Sequence, residues 1–346
     1  MFLVPKIRPD GSRNDVRCVS IEHKLGIHAS PTCVMAFGDN DDCLGELIGP
    51  EHGGMRAMFT MMNNARMNVG LQGVSIAEAA TQAAVAYASQ RVQSARSGTR
   101  ESVAIIEHPD VRRMLLRMKA LTQGARALCY YAAAQADLAR LGDEAAKARV
   151  DLLTPLVKAW GTDVGCEVAS LGVQVHGGMG FIEETGAAQY YRDIRIAPIY
   201  EGTNGIQAAD LVSRKLGLQG GAALQRLLEE IRASREGRYL DQLLTAVGEA
   251  VDWTMQAEPD DRLAGSYPLM TMLSILIAGW LMARQESVAD QMLAAGEGDS
   301  NFLAMKTAAA TYFREVVVPE AVGLQSAVTN AGAALLYSVS AESFAA

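Results

Sequence analysis

The chain has 346 residues, 49% of them hydrophobic and 20% charged, with a formal net charge of −8. That length and apolar content suffice for a buried core and for two or three domains. The acidic balance and the lack of any Lys/Arg run exclude a nucleic-acid partner, and the five cysteines, without a CxxC pair, indicate neither a disulfide framework nor a zinc site and suit a reducing cytoplasm.

In chain order, "MFLVPKIRPDGSR" lacks the apolar core and small-residue cleavage site of a secretory signal. Residues 1–50 mix β-branched and aromatic residues with Gly, Pro, Asn and Asp, which predicts short strands. From Gly54 the grain changes: apolar residues recur at three and four positions with no proline, predicting a helix of almost forty residues, about 55 Å long. Pro109 suits the first position of a second helix that runs to about Gly142. A third is predicted to reach about Gly172, followed by a short helix and then one capped by Thr203 and ending near Leu216. Long helices on short loops predict an antiparallel bundle.

The glycines of 217–222 read as a boundary, beyond which four helices are predicted at roughly 223–236, 239–257, 264–286 and 301–335, the last broken at Pro319. The uncharged stretch Leu263 to Ala283 approaches the length of a membrane span. Its Ser266, Pro268, Thr271 and Ser274, and the amphipathic helices around it, favour a buried or interface helix.

"HGGMGF", residues 176–181, lacks the spacing of a dinucleotide fingerprint and follows a helix where that motif follows a strand. It reads either as a helix stop or as a backbone surface that a flat or phosphorylated ligand can approach. His23 and His28 lie five apart beside Glu22 without a recognised ligand spacing, so no metal is expected. Serines show no G-x-S-x-G elbow, and there is no P-loop. Glu201 remains, set in "IAPIYEGTNGIQ" at a helix entrance. On its own it reads as a cap, as an ion-pair partner of Arg192 or Arg195, or as a general base. The apolar neighbours Ile196, Ala197, Ile199 and Tyr200 would raise its pKa by desolvation, and the helix N-terminus after it works the other way.

"YRDIRIAPIYEGTNGIQ", preceded by "QVHGGMGF" and, further upstream, by "NNARMNVG" and "YASQRVQ", resembles the C-terminal helical domain of flavin-dependent acyl-CoA dehydrogenases. The resemblance covers about residues 1–216; the extra helices from 217, with "EHKLGIHASPTC" and "IIEHPDVRRMLL", resemble the extended subfamily that carries an additional C-terminal helical domain. It implies a mainly α chain: a remnant of a β-domain over 1–50, the helical bundle over 51–216 and a second helical unit over 217–346, with the N-terminal part of the family's fold truncated.

The implied reaction is FAD-dependent α,β-dehydrogenation of an acyl-CoA thioester, 3-methylmercaptopropionyl-CoA or a fatty acyl-CoA. Glu201 would remove the α-proton while a hydride passes from Cβ to flavin N5. Thr203 and Gly205 match positions that contact the flavin. Gln174, Gly177 and Gly178 match the stretch that holds the adenine and pyrophosphate end across a dimer. Arg91 corresponds to an arginine on the FAD pyrophosphate, a role suited to a forked donor. Arg66, Asn63 and Tyr200 fall at the substrate. The implied partners are an electron-transfer flavoprotein and a second copy of the chain, in the cytoplasm. Two alternatives stay open: an acyl-CoA oxidase, and a non-catalytic helical dimerisation fragment unable to bind FAD.

Overall fold

The computed structural model describes residues 1–346 apart from the side chains of residues 59 and 60. Two compact units divide the chain, Met1–Ala65 and Arg66–Ala346.

In the first unit the strands are short. β1 (Phe2–Leu3) pairs antiparallel with β4 (Glu46–Leu47), and β2 (Val16–Ile21) with β3 (Cys33–Phe37), with a register shift between Cys18 and Ser20. Asn14, 2% exposed, ties the loops: its amide donates to the Pro5 and Leu44 carbonyls, both at 2.8 Å, and accepts from the Leu44 amide at 3.0 Å. Phe2, Ile21, Phe37 and Leu44 all stand exposed. His28 Nε2 lies 2.8 Å from the Lys24 carbonyl.

The helical unit is built on three long helices. α1 (Gly54–Gln90) enters it at Arg66; α2 (Pro109–Arg140) begins on its proline, whose missing N–H costs nothing there, with Asp110 complementing the dipole; α3 is Glu144–His176. Asp143 caps α3 by accepting from the amides of Ala145 and Ala146 at 2.9 and 3.0 Å. β5 (Val92–Ala95) and β6 (Ser102–Ala104) form a hairpin between α1 and α2. α3 runs past Gly172, the expected stop, to His176, and Gly172 instead packs against Ala80, where an added Cβ would sit 3.5 Å from the Ala80 Cβ.

α1 and α3 meet at their backbones. A Cβ on Gly73 would stand 2.0 Å from the Gly161 carbonyl oxygen, and one on Gly70 2.4 Å from that of Val157, so only glycine fits there. Contacts advance in the same direction along both helices, from Gly70 and Gly161 to Tyr87 and His176, whose rings stack at 4.5 Å. The two helices therefore run parallel and α2 returns between them in sequence, as in an up-down-up bundle.

After α4 (Ala187–Ile194), α5 (Asn204–Asp210) continues through a π-turn at Leu211–Lys215 to Leu216. The 217–221 stretch is a tight bend, with Gln219, Gly220 and Gly221 all at positive φ. Beyond it lie α6 (Ala222–Ala233), α7 (Asp241–Gln256), α8 (Pro259–Ala264), α9 (Ser266–Ala295), α10 (Ser300–Tyr312) and α11 (Val318–Val322), then short turns of helix. The helix expected to break at Pro319 carries through it: a π-turn at Phe313–Val317 joins α10 to α11, and the first interruption comes at Gly323. A π-turn rearranges the i→i−4 ladder where the proline withholds its N–H.

α9 fills the centre, with Leu269, Leu276 and Trp280 among its buried residues. Among the described residues it is the one helix long and apolar enough to cross a membrane by length and composition, and 83% of its most apolar window is buried inside the fold. Phe313 packs its ring over Gly124 and edge-on to Trp160, centroids 6.2 Å apart, which locks α2, α3 and the second π-turn together. At the surface of the same junction Arg117 bridges Glu167 at 2.5 Å and Glu320 at 2.8 Å.

Candidate active site

The stretch from Ile194 to Asn204 winds through successive turns. Ala197 and Tyr200 donate to the carbonyls of Ile194 and Ile196 at 2.9 and 3.1 Å, and Asn204 reaches back to Pro198 at 2.9 Å. Thr203 caps α5 as expected, its hydroxyl accepting from the Ile206 amide at 3.2 Å. Between these anchors Glu201 is held at φ 56° and Gly202 at 81°. A left-handed conformation costs an ordinary residue about 1–2 kcal/mol, and here the surroundings impose it. Gln207, fully buried, donates its amide to the carbonyls of Glu201 and Gly202 at 3.3 and 3.4 Å.

Asn204, next in line, is 3% exposed and holds the turn to α3. Its amide donates to the Ala159 carbonyl, the Thr162 hydroxyl and Asp163 Oδ1 at 3.1, 3.0 and 2.8 Å, and its Oδ1 accepts from Lys158 Nζ at 2.8 Å. Lys158 is fully buried. Burial pushes its ammonium down to about 8, the Asp163 carboxylate opposes this, Arg66 adds to it, and the Glu201 charge again opposes. Asp163 in turn is pushed up by burial while Tyr267 of α9, donating at 2.6 Å, and Asn204 hold it down. A buried polar chain therefore runs from α9 through α3 to the turn that carries Glu201.

The expected ion pair of Glu201 with Arg192 or Arg195 is not formed: Arg192 pairs with Glu183 at 3.0 Å, and Arg195 acts on Asp163. The expected apolar wall is also thinner than its sequence suggested. Ala197 is buried, but Ile196 and Ile199 are 39% and 47% exposed, because consecutive turns, unlike one helix, point successive side chains apart. Tyr200 is partly buried and its hydroxyl donates to Gln72 of α1. Arg66 is 8% exposed, 4.0 Å from Asp210, with its Nε buried and lacking a hydrogen-bond partner among the described residues. Asn63 is exposed on the part of α1 that belongs to the first unit.

Arg91, Gly177 and Gly178 come together elsewhere. With Tyr87, Gln93 and His176 they line a cavity of about 510 Å³ at the far ends of α1 and α3. Among the described residues no atom lies within 4 Å of where a Cβ would stand on Gly177 or Gly178, so a ligand can approach the backbone closely. Arg91 is exposed and donates one of its guanidinium N–H groups to the Gln93 side chain at 3.1 Å. Gln174 is exposed one turn before, while Thr203 and Gly205 open α5 and are not walls of this cavity. Lys158, Asn204, Asp163, Gln207 and Tyr267 were not among the expected site residues; the lone charge in the apolar run "LLTPLVKAWGT" was their one visible sign.

Residues 52–216 match the family model described as "Acyl-CoA dehydrogenase, C-terminal domain", and residues 221–337 match "Acetyl-CoA dehydrogenase C-terminal like". The chain is 44% identical to 3-methylmercaptopropionyl-CoA dehydrogenase of Ruegeria pomeroyi, over 97% of its own length and 61% of the relative's. It is 36% identical to a butyryl-CoA dehydrogenase of Syntrophomonas wolfei, over 95% of its length and 60% of the relative's. The chain thus spans about three-fifths of the curated relatives it matches. A Bacillus anthracis acyl-CoA dehydrogenase, solved complexed with FAD, shares the fold with a TM-score of 0.72 at 23% identity, over 91% of this chain and 56% of that one. Two family models covering most of the sequence, and relatives aligned along nearly all of it, place the chain in the acyl-CoA dehydrogenase family.

Proposed function

We propose that this chain supplies the catalytic base and much of the cofactor site of an FAD-dependent dehydrogenase of acyl-CoA thioesters, with 3-methylmercaptopropionyl-CoA or a fatty acyl-CoA as substrate. The observation that carries the reading is the turn at Glu201: one carboxylate held left-handed at a capped helix entrance, its backbone clamped by Gln207 and braced from beneath by Asn204 and Lys158. Such strain at a functional position is what a pre-set base requires. The relatives named for acyl-CoA dehydrogenation support the substrate class.

Bound FAD supplies the hydride acceptor. The open glycine surface at Gly177 and Gly178, with the Arg91 guanidinium at its rim, suits a flat, phosphorylated ligand. Thr203 and Gly205, at the opening of α5, are assigned to the flavin, and Gln174 to the far end of the cofactor. Glu201 then takes the α-proton, while Arg66, Tyr200 and Asn63 are assigned to the substrate. Two cofactor patches that do not share a wall, and a turn with Ile196 and Ile199 left open, support a homodimer in which a second copy completes each site. The same reading divides the chain into a β-remnant over 1–50, the bundle over 51–216 and the extension over 217–346, and sends electrons to an electron-transfer flavoprotein in the cytoplasm.

The test has two stages. Purified chain incubated with FAD should retain flavin absorbance and reduce a dye on addition of acyl-CoA. Glu201→Gln should keep the flavin and lose most turnover. Colourless protein after incubation with FAD, or unchanged turnover in Glu201→Gln, contradicts the proposal.

A further inference from the structure

Away from the Glu201 turn, α2, α9 and α10 form a second pocket, open to solvent, of about 560 Å³. Its floor is apolar, with Leu281, Ala289 and Leu303 buried beneath it. Its rim is cationic: Arg126, Arg284 and Lys306 line it. Few acids answer them. Glu78 takes Arg126 at 2.7 Å, is shared with Lys119 at 3.9 Å and is also the acid that acts on Lys306. Lys306 itself donates to the neutral amide of Gln285 at 2.8 Å. Arg284 lies over the Trp280 ring, 5.1 Å from its centroid, rather than on a carboxylate. Three cations, Arg126, Lys119 and Lys306, thus share the single acid Glu78 while Arg284 rests on a ring, a local excess of positive charge in a chain whose net charge is −8.

Gln123, 7% exposed, adds an independent sign. It lines the same cavity, and its Oε1 is buried with no hydrogen-bond partner among the described residues. A buried polar group left unpaired is destabilising, and a ligand head group can relieve it. The two ends of an amide exchange by a half-turn, so Gln123 can present its NH₂ to an anion.

We propose that this cavity binds an aliphatic carboxylate, its chain laid on the apolar floor and its head held by Arg284, Lys306 and the Gln123 amide. A volume of about 560 Å³ is that of a pocket for one small ligand. The site is separate from the Glu201 turn and stands whether or not that turn is catalytic.

Dansyl-labelled undecanoate added to the whole chain should give a saturable fluorescence rise, displaced by dodecanoate and not by its methyl ester. Arg284→Gln and Lys306→Gln should each weaken binding about tenfold, and Ala127→Trp, which fills the cavity, should abolish it. Glu201→Gln should bind as the parent does. Arg284 is exposed, so its variant tests the head-group contact without disturbing the core. Equal displacement by acid and ester, unchanged affinity in both rim variants, or loss of binding in Glu201→Gln would each overturn the proposal. So would capture by anionic phospholipid vesicles that the rim variants lose while probe binding stays the same, since that assigns the cations to a membrane surface.

Discussion

The backbone contact between α1 and α3 makes one substitution quantitative. In Gly73→Ala the new methyl would lie 2.0 Å from the Gly161 oxygen and 2.9 Å from the Thr162 Cα. Non-bonded carbon contacts settle near 3.5–4.0 Å, so the helices must part by about 1.5 Å. Both atoms are main chain and cannot swing aside, which puts the penalty at or above the usual 1–3 kcal/mol or so for overpacking. Replacing a helical glycine by alanine returns about 1 kcal/mol of propensity. The net loss should be about 2 kcal/mol. Gly248, inside α7, has nothing within 4 Å of its added Cβ, so Gly248→Ala keeps the propensity gain alone and should stabilise by about 0.5–1 kcal/mol. Urea unfolding with unchanged slope reads both; at about 2–4 °C per kcal/mol the midpoint temperature should fall by about 4–8 °C in Gly73→Ala and rise by about 1–4 °C in Gly248→Ala. A neutral or stabilised Gly73→Ala would refute the close approach.

Three further outcomes follow from the buried network and the glycine surface. Lys158 has a folded-state pKa of about 8 against 10.5 unfolded, so the unfolded chain holds the extra proton between those values and the parent gains stability as pH rises through that window; the fall corresponds to about 3 kcal/mol. Lys158→Met lacks this gain, so the parent-minus-variant difference in unfolding free energy should climb from pH 8 to 10.5. Tyr267→Phe removes the 2.6 Å hydrogen bond to Asp163 and should cost about 2 kcal/mol at pH 7. That bond favours the ionised carboxyl, so the loss should shrink in acid as Asp163, which burial pushes above the usual carboxylate range, is protonated; unfolding midpoints followed from neutral to acid pH check it. Gly177 sits at φ 60°, ψ −140°, a conformation side chains resist by about 1–3 kcal/mol, so Gly177→Ala should lower both melting temperature and flavin retained per chain.

The parts of this fold that repeat along the chain were readable from it. Periodicity and Pro109 locate α1 and α2, and Thr203 announces α5, because caps and helical faces are local properties. Glycine was ambiguous for a physical reason: at Gly172 it read as a stop, yet it serves a neighbouring helix, and the sequence alone holds no record of which helix stands opposite. Pro319 misled similarly, since a π-turn can absorb what a proline withholds. At the site the acid and its cap were visible while the supports were not. Lys158 and Asn204 lie 46 positions apart, and pairing them requires the fold. The apolar flank of Glu201 looked like a wall in one dimension, but its isoleucines diverge in three.

Parallel helices touching at Gly70 and Gly73, and again where Tyr87 meets His176, act as a ruler whose marks cannot slide. Between residues 70 and 87 outward-facing side chains are free to vary, but the count of residues is not. One inserted amino acid would rotate everything after it by about 100° and advance it by about 1.5 Å, taking Arg91 off the mouth of its cavity. Natural length variation in such a chain belongs in its hairpins and bends, never within that span.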